Sequence, residues 1–309
     1  MANKPPLLQE GDTVGIVTLG SPLNPSVVNA RVETLEAMGL RVVLGDYVFE
    51  QEGFLAGTSR ERAADFNRMV AADEVKMILP SRGGVGVAGI LPYLDYERIR
   101  QNPKVVSGYS DITILLNALY QFGNLITFHS LLLINFTLST PAFNFNQFFN
   151  AVSTLNAPRP IENPPDMPLV SLVPGNVTGP IVGGNLTSFI GTLGTPFEID
   201  TRGKIIVLEE THEPINTVYR YLKHLEMAGK FDDCLGIVMG ECTGCSVSYG
   251  VSYEELIADF LVPFGKPLLT GLATGHGLFK TTIPIGAKAN LNTFDGTFTV
   301  LEPTVELMD

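Results

Sequence analysis

The stretch "GYSD", residues 108–111, closes the apolar run "KVVS" and opens the helix-patterned "DITILLNALYQFG". A sharp turn from strand into helix lifts the turn residue out of the sheet and points the free N–H groups of the new helix toward its neighbour. That is the mechanics of a nucleophile elbow. Gly108 permits close approach, Ser110 brings a hydroxyl and Asp111 begins the helix. Ser110 is equally suited to capping the helix, a role worth about 1 kcal/mol. Ile112 also stands where the stricter G-x-S-x-G pattern requires glycine. The partners available to Ser110 must separate the two readings.

A serine hydroxyl attacks only when a base takes its proton, and at neutral pH that base is most often histidine. The chain has four histidines. His224 lies on a helix face between Lys223 and Leu225 and reads as a solvated residue. His212, in "ETHEP", is a turn residue or a substrate contact. His129, after the apolar "LITF", is a packed core histidine or a wall of a pocket. His276, in "TGHGLF", is flanked by Gly275 and Gly277, which let the chain bend and a second group come close. It is either a solvated turn or the base, and the neighbouring motifs favour the base. A base also needs a carboxylate to fix its tautomer. "KIIVLEETHEP" ends a predicted strand on Glu209 and Glu210, which strand alternation sends to opposite faces, so one of the two can face the site.

Upstream, "LPSRGGVGVAGIL" places Gly83, Gly84 and Gly86 after another predicted strand, where backbone amides can face an anion. The loop matches neither phosphate-binding glycine pattern, which leaves the oxyanion of a tetrahedral intermediate as the better fit. Arg82 either recognises charge or braces this loop.

These residues need strand ends to hold them, and the pattern supplies strands. "TVGIVTLG", "LRVVLGDYV", "VKMILPS" and "KVVSG" alternate with helix-like "RVETLEAMG", "RERAADFNRMVAA" and "DYERIRQNP", which predicts a parallel sheet covered on both faces. Residues 1–157 form the expected α/β domain carrying Ser110. Six prolines from Pro158 to Pro174 disfavour helix and central strand, so 158–174 reads as a linker. Residues 175–309 are mixed, with strand "KIIVLEE", the amphipathic helix "INTVYRYLKHLEMAGK" and a closing hairpin at "DG". They predict a smaller barrel-like or sandwich domain carrying the acid and the base.

The net charge is −12 and the pI about 4.8. Such a surface disfavours nucleic acid and anionic lipid, which are held by clustered Lys and Arg. No apolar run approaches the ~20 residues of a spanning helix, and the start "MANKPPLLQEGDTVGIV" lacks a secretory pattern, so a cytoplasmic protein is expected. Three cysteines, Cys234, Cys242 and Cys245, are an odd number and read as reduced thiols. Cys242 and Cys245 form a C-x-x-C, but four zinc ligands or a βαβ redox setting are not evident.

In their order, "GDTVGIVTLGSP", "FLAGTSRERAADFNRM", "SRGGVG", "GYSD", "GPIVGGNLT", "LEETHEP" and "TGHG" with "IPIGAKANLN" resemble the LD-carboxypeptidase family of serine peptidases, which includes the microcin-immunity peptidases. The resemblance runs through nearly the whole chain. It implies a Ser–His–Glu triad of Ser110, His276 and Glu209, with amides of Gly84 and Asp111 as the oxyanion hole. It also implies a flavodoxin-like or glutamine-amidotransferase-like N-terminal domain, a C-terminal barrel-like domain, a homodimer, and no metal or organic cofactor. The chain departs from the family pattern at Val85, where an aromatic is usual, and at "TFHSLLL", where "FHGP" is usual. The implied substrate is a small peptide: murein tetrapeptide losing its terminal D-alanine, or a peptidyl-adenylate toxin. In the latter branch an aromatic such as tryptophan stacks on the base; this chain has no tryptophan, which favours murein peptide, although Phe or Tyr could stack in its place. Two readings of other kinds remain, a non-catalytic two-domain peptide-binding protein and an ordinary α/β-hydrolase esterase.

Overall fold

The computed structural model describes residues 2–307. Its strands are β1 (Thr13–Val17), β2 (Arg41–Leu44), β3 (Val75–Pro80), β4 (Val105–Gly108), β5 (Thr127–His129), β6 (Arg159–Pro160), β7 (Val170–Val173), β8 (Asn176–Asn185), β9 (Ile205–Thr211), β10 (Gly236–Thr243), β11 (Leu268–Leu272), β12 (Ile283–Ile285), β13 (Lys288–Asn292) and β14 (Thr297–Val300). The helices are α1 (Pro25–Ala37), α2 (Ser59–Ala71), α3 (Tyr96–Gln101), α4 (Ile112–Gly123), α5 (Ala142–Val152), α6 (Leu186–Ile190), α7 (Ile215–Met227) and α8 (Tyr253–Leu261).

Local chemistry explains the boundaries. Every residue of β1 is buried, as a central parallel strand with helices on both faces requires. Asn24 accepts from the Ser26 amide and Pro25 occupies the first position of α1, where its missing N–H costs nothing. Thr58 and Glu61 close a capping box at the start of α2. In α7 the buried face is Val218, Leu222 and Leu225, at the helical period that the sequence shows.

The first sheet runs β12-β5-β4-β3-β1-β2. Strands β2, β1, β3, β4 and β5 are mutually parallel, in the flavodoxin-like order 2-1-3-4-5. Strand order reverses between β1 and β3, and such sheets bind ligands beyond the carboxyl ends of the strands at that reversal. The second sheet runs β6-β14-β13-β8-β9-β10-β11-β7. At its centre β8, β9, β10 and β11 are parallel, while β7, β13, β14 and β6 pair antiparallel at the flanks.

Two features refine the sequence pattern. The proline-rich 158–174 segment contributes β6 and β7, which are the two edge strands of the second sheet. An edge strand has one unpaired side, so a proline there loses no ladder bond. Strand β12 leaves the C-terminal part of the chain to pair antiparallel with β5 on the first sheet. Its alternation predicts a strand but carries nothing about which sheet it joins.

The largest apolar cluster runs through both sheets. Phe66, Phe128, Leu115 and Ile16 share it with Ile205, Val207, Leu269, Ile283 and Phe298. A second cluster lies between the second sheet and α6, α7 and α8, around Phe189, Leu222, Phe231 and Ile257. Because the first cluster joins the two sheets, heat or urea should unfold the chain in one cooperative step, with circular dichroism and calorimetry giving the same midpoint. Two resolved transitions would contradict a shared core.

Candidate active site

The site gathers where the carboxyl ends of the parallel strands in both sheets face each other. Ser110 follows β4 and precedes the N-cap Asp111 of α4. Its φ is +63°, the left-handed region that a residue with a Cβ adopts at a cost of about 1–3 kcal/mol. The hydroxyl does not cap α4. Among the described residues it makes no hydrogen bond, and the side chain is partly exposed. Gly108 permits the turn as the sequence suggests, since a Cβ there would meet Ile112 Cγ2 at 2.7 Å and Leu132 Cδ2 at 2.8 Å.

Glu209 stands on β9, fully buried in its side chain, and its Oε2 lies 2.9 Å from His276 Nδ1. His276 is held in the loop after β11 and keeps 19 % of its side chain exposed. Both flanking glycines are needed for space. A Cβ on Gly275, whose φ is +76°, would come within 2.2 Å of Glu209 Cδ, and one on Gly277 within 2.0 Å of Glu241 Oε2. The Tyr109 ring meets His276 edge-on with centroids 5.0 Å apart, which sets the imidazole beside the residue next to Ser110.

Glu210 turns the other way, as alternation requires. Its carboxylate accepts from the Thr187 amide at 2.8 Å, the Thr187 hydroxyl at 2.7 Å and Asn185 Nδ2 at 3.2 Å. It ties β9 to the start of α6.

The glycine loop lies directly over Ser110. A Cβ on Gly83 would be 2.7 Å from Ser110 Cβ and 3.2 Å from the Asp111 nitrogen. Among the described residues the amides of Gly84 and Asp111 donate to no protein acceptor. Several groups fix the loop. The Ser21 hydroxyl accepts from the Val85 amide at 3.2 Å, and Asp111 Oδ2 accepts from the Val87 amide at 2.8 Å. Buried Arg62 donates to the carbonyls of Gly86, at 2.8 Å, and of Leu19. Burial pushes the Asp111 carboxyl up from its ordinary value, opposed by the Val87 amide, the Ser188 hydroxyl and the charge of Arg62. The brace of this loop is therefore Arg62 and not Arg82. Arg82 is half-buried and, among the described residues, makes no ion pair or hydrogen bond, which leaves its guanidinium available to an anionic ligand.

Three further residues at the site carry no signal in the sequence. Lys280 is buried, donates to the Gly277 carbonyl and lies 5.0 Å above the Tyr109 ring. Burial lowers its pKa, while Glu209 and Glu241 pull the other way. Burial raises that of Glu241. Arg62 looks like one more polar residue on an amphipathic helix, and only the fold shows it turned inward.

The remaining histidines fall out as follows. His224 is exposed on α7 and His212 is exposed in its turn with φ +57°. His129 is a core residue, 1 % exposed. One expectation is corrected: Cys242 and Cys245 are joined by a disulfide, with 5.5 Å between their Cα atoms, and only Cys234 is a free, buried thiol. An odd count excludes complete pairing, not one pair, and the turn leaving β10 brings these two within bonding reach. Among the described residues no His, Cys, Asp or Glu cluster of metal-ligand geometry occurs, and no helix is long and apolar enough to cross a membrane.

Residues 14–130 match the LD-carboxypeptidase N-terminal domain and residues 178–291 the LD-carboxypeptidase C-terminal domain. The chain belongs to the LD-carboxypeptidase family. It is 37% identical over 302 residues to a probable murein peptide carboxypeptidase of Bacillus subtilis, covering 95% of this chain and 93% of that one. It is 28% identical to the murein tetrapeptide carboxypeptidase of Pseudomonas aeruginosa, over 90% and 92% of the two chains. Among solved structures, the microcin C7 self-immunity protein in complex with aspartyl sulfamoyl adenosine superposes with a TM-score of 0.92 at 24% identity, covering 98% of this chain and all of that one. In this LD-carboxypeptidase fold, β9 meets the loop after β11 through Glu209 and His276, and that loop meets the β4–α4 turn through Tyr109.

Two outcomes follow from the packing. Gly275→Ala should displace the Glu209 carboxylate and cost about 100-fold or more in turnover, as a ~1 Å misplacement at a reacting group does, with an unchanged far-UV spectrum. Burial holds the His129 imidazole down at about 4, below the ~6.5 of an unfolded histidine. The unfolded state therefore takes up its proton first. His129 contributes stability above pH ~6.5 that is lost as pH falls toward 4, on the order of 3 kcal/mol. Urea unfolding between pH 7 and 4.5 should show this slope, and His129→Leu should remove it.

Proposed function

We propose that this protein, a serine-type carboxypeptidase by its family, hydrolyses the amide between an L-configured centre and a terminal D-residue, releasing D-alanine from murein tetrapeptide. The observation that carries the reading is the 2.9 Å contact of His276 Nδ1 with the buried Glu209 carboxylate, with the His276 ring against Tyr109, the residue before a serine held at φ +63°.

Glu209 fixes the tautomer with Nδ1 protonated and leaves Nε2 to act as base. Ser110 Oγ attacks the carbonyl carbon as its proton passes to Nε2, and the imidazolium that forms is stabilised by Glu209. The oxygen of the tetrahedral intermediate sits against the Gly84 and Asp111 amides, donors already fixed before the charge develops. Collapse expels the amine of the D-residue, which takes the proton from His276. Water then attacks the acyl-enzyme with the same histidine as base. The absence of a serine–histidine hydrogen bond before substrate binds is compatible with this sequence, since such bonds tighten in the substrate complex. Arg82, two residues beyond the end of β3 and next to the glycine loop, supplies a cation for the terminal carboxylate. The family resemblance extends the proposal to a cytoplasmic homodimer, which sedimentation of the purified protein would test.

A peptidyl-adenylate substrate is the second reading, favoured by the 0.92 superposition on the microcin self-immunity protein. The lack of tryptophan counts against that branch, in which Phe or Tyr would have to stack on the base instead. Murein tetrapeptide and an aminoacyl sulfamoyl adenosine assayed side by side would rank the two.

With tetrapeptide, Ser110→Ala should abolish D-alanine release. Glu209→Gln and His276→Ala should each lose several orders of magnitude in kcat, because triad members act as a unit. Undiminished turnover in Ser110→Ala would end the proposal. Binding without product, and no acylation of Ser110 by an active-site probe, would favour a binding protein.

A further inference from the structure

The triad leaves half of the Glu209 carboxylate unused. Oε2 meets His276, whereas Oε1 is buried and, among the described residues, has no hydrogen-bond partner. A buried carboxylate oxygen in that condition is costly and calls for a donor. Among the described residues the other histidine of the region is equally orphaned. His129 is 1 % exposed, and neither of its ring nitrogens reaches a protein partner. Two buried polar groups with complementary needs therefore lie in one small region.

Strand register places them together. His129 ends β5 and pairs with Gly108, two residues before Ser110. Its Nδ1 abuts Gly184 of β8, where a Cβ would fall 2.9 Å away. The next residue along β8, Asn185, pairs directly with Glu209. Gly184 has φ +134°, and the same Cβ would also meet Thr113 Oγ1 at 2.5 Å, so glycine keeps open the ground between β5, α4 and β8. The charged and titratable groups around His129 are Glu209 of β9, His276 of the loop after β11 and Lys280.

We propose that His129 is a positioning residue for Glu209: its neutral imidazole donates a hydrogen bond, across one buried water, to the carboxylate oxygen that His276 leaves open. A water with two to four polar partners is the usual resident of such a spot. The arrangement depends on the triad roles assigned above and adds to them. A carboxylate bonded at both oxygens cannot rotate away from His276. The donor at Oε1 also draws off part of the negative charge, so that Glu209 does not hold the imidazolium so strongly that it withholds its proton from the leaving amine. Burial keeps His129 in the neutral form that this role needs.

The test uses the full chain and murein tetrapeptide. His129→Leu keeps the apolar packing and removes the donor. Its kcat should fall about tenfold or more with KM unchanged, the scale on which outer partners of functional groups act. The acid limb of its kcat/KM profile should move to higher pH by about half a unit or more, because Glu209 without the second donor binds the His276 proton more tightly. His129→Gln restores an N–H and should recover both quantities in part. Loss of packing alone would lower activity with neither the shift of the limb nor the recovery. A high-resolution crystal structure of the unaltered protein should show a water bonded to both Glu209 Oε1 and a His129 nitrogen, which keeps the question decidable if the leucine variant does not fold. No bridging water, or wild-type kcat and acid limb in His129→Leu, overturns the role of His129. Ser110→Ala assayed alongside tells the two levels apart: inactive with an unaffected His129→Leu, only this inference fails; active, the reading of the whole site fails with it.

Discussion

A carboxylate with no exposed side-chain surface is the constraint around which this molecule is arranged. Glu209 lies near the carboxyl end of β9, in the middle of the second sheet, and its carboxylate must be matched where water does not reach. His276 matches it at 2.9 Å. The contact exists only because residue 275 has no side chain, as any Cβ there would overlap the carboxylate. The pairing thus binds a sheet to a loop that would otherwise be free to settle elsewhere, and it orients the histidine ring at the same time. Tyr109 against that ring, and Lys280 above Tyr109, carry the restraint across to the β4–α4 turn.

The two sheets do complementary work. The first offers backbone amides: those of the glycine loop after β3, held by Ser21, Arg62 and the Asp111 carboxylate, and that of Asp111 at the N-cap of α4. The second offers the carboxylate–imidazole pair from β9 and the loop after β11. On the proposed mechanism neither set suffices alone, so the relative placement of the sheets becomes the quantity that the fold must secure. The fold secures that placement with an apolar cluster common to both sheets and with β12, which returns from the second sheet to pair on the first. Asn117 adds a polar tie, donating from α4 to the Gly183 carbonyl at 2.8 Å and accepting from the Gly183 amide at 3.0 Å.

Much of this was legible in the sequence because the informative features are local. Strand alternation was enough to separate Glu209 from Glu210, and the structure gives them opposite partners. The glycines beside His276 announced that something must come close, and two carboxylates do. Long-range packing was not legible. Nothing in "IPI" tells which sheet will accept β12. The prolines of 158–174 show that the segment avoids a sheet centre, yet not that it supplies both edges of the second sheet. Arg62 has the same pattern as the solvated arginines of α2, since its inward turn depends on carbonyls from Leu19 and Gly86 that lie far off in the chain. The cysteine count missed the Cys242–Cys245 bridge because pairing depends on the turn between them.

The amides beside Ser110 show why a fold would keep such costly features. In water, a charge developing on a carbonyl oxygen is met by solvent dipoles that must reorient during the reaction. The donors proposed for that oxygen are backbone groups whose loop is already held, by Arg62 on one flank and Asp111 on the other. Burying an arginine and an acid to hold a loop still is expensive in desolvation, and an apolar pair of similar shape would often be more stable. An apolar pair could not grip carbonyls and amides, however, and a glycine loop without that grip would sample many conformations. The same reasoning applies to Ser110 at φ +63°: the strained turn lowers stability, and in return the residue is presented between the glycine loop and Tyr109, whose ring meets a histidine that a buried carboxylate keeps in one orientation.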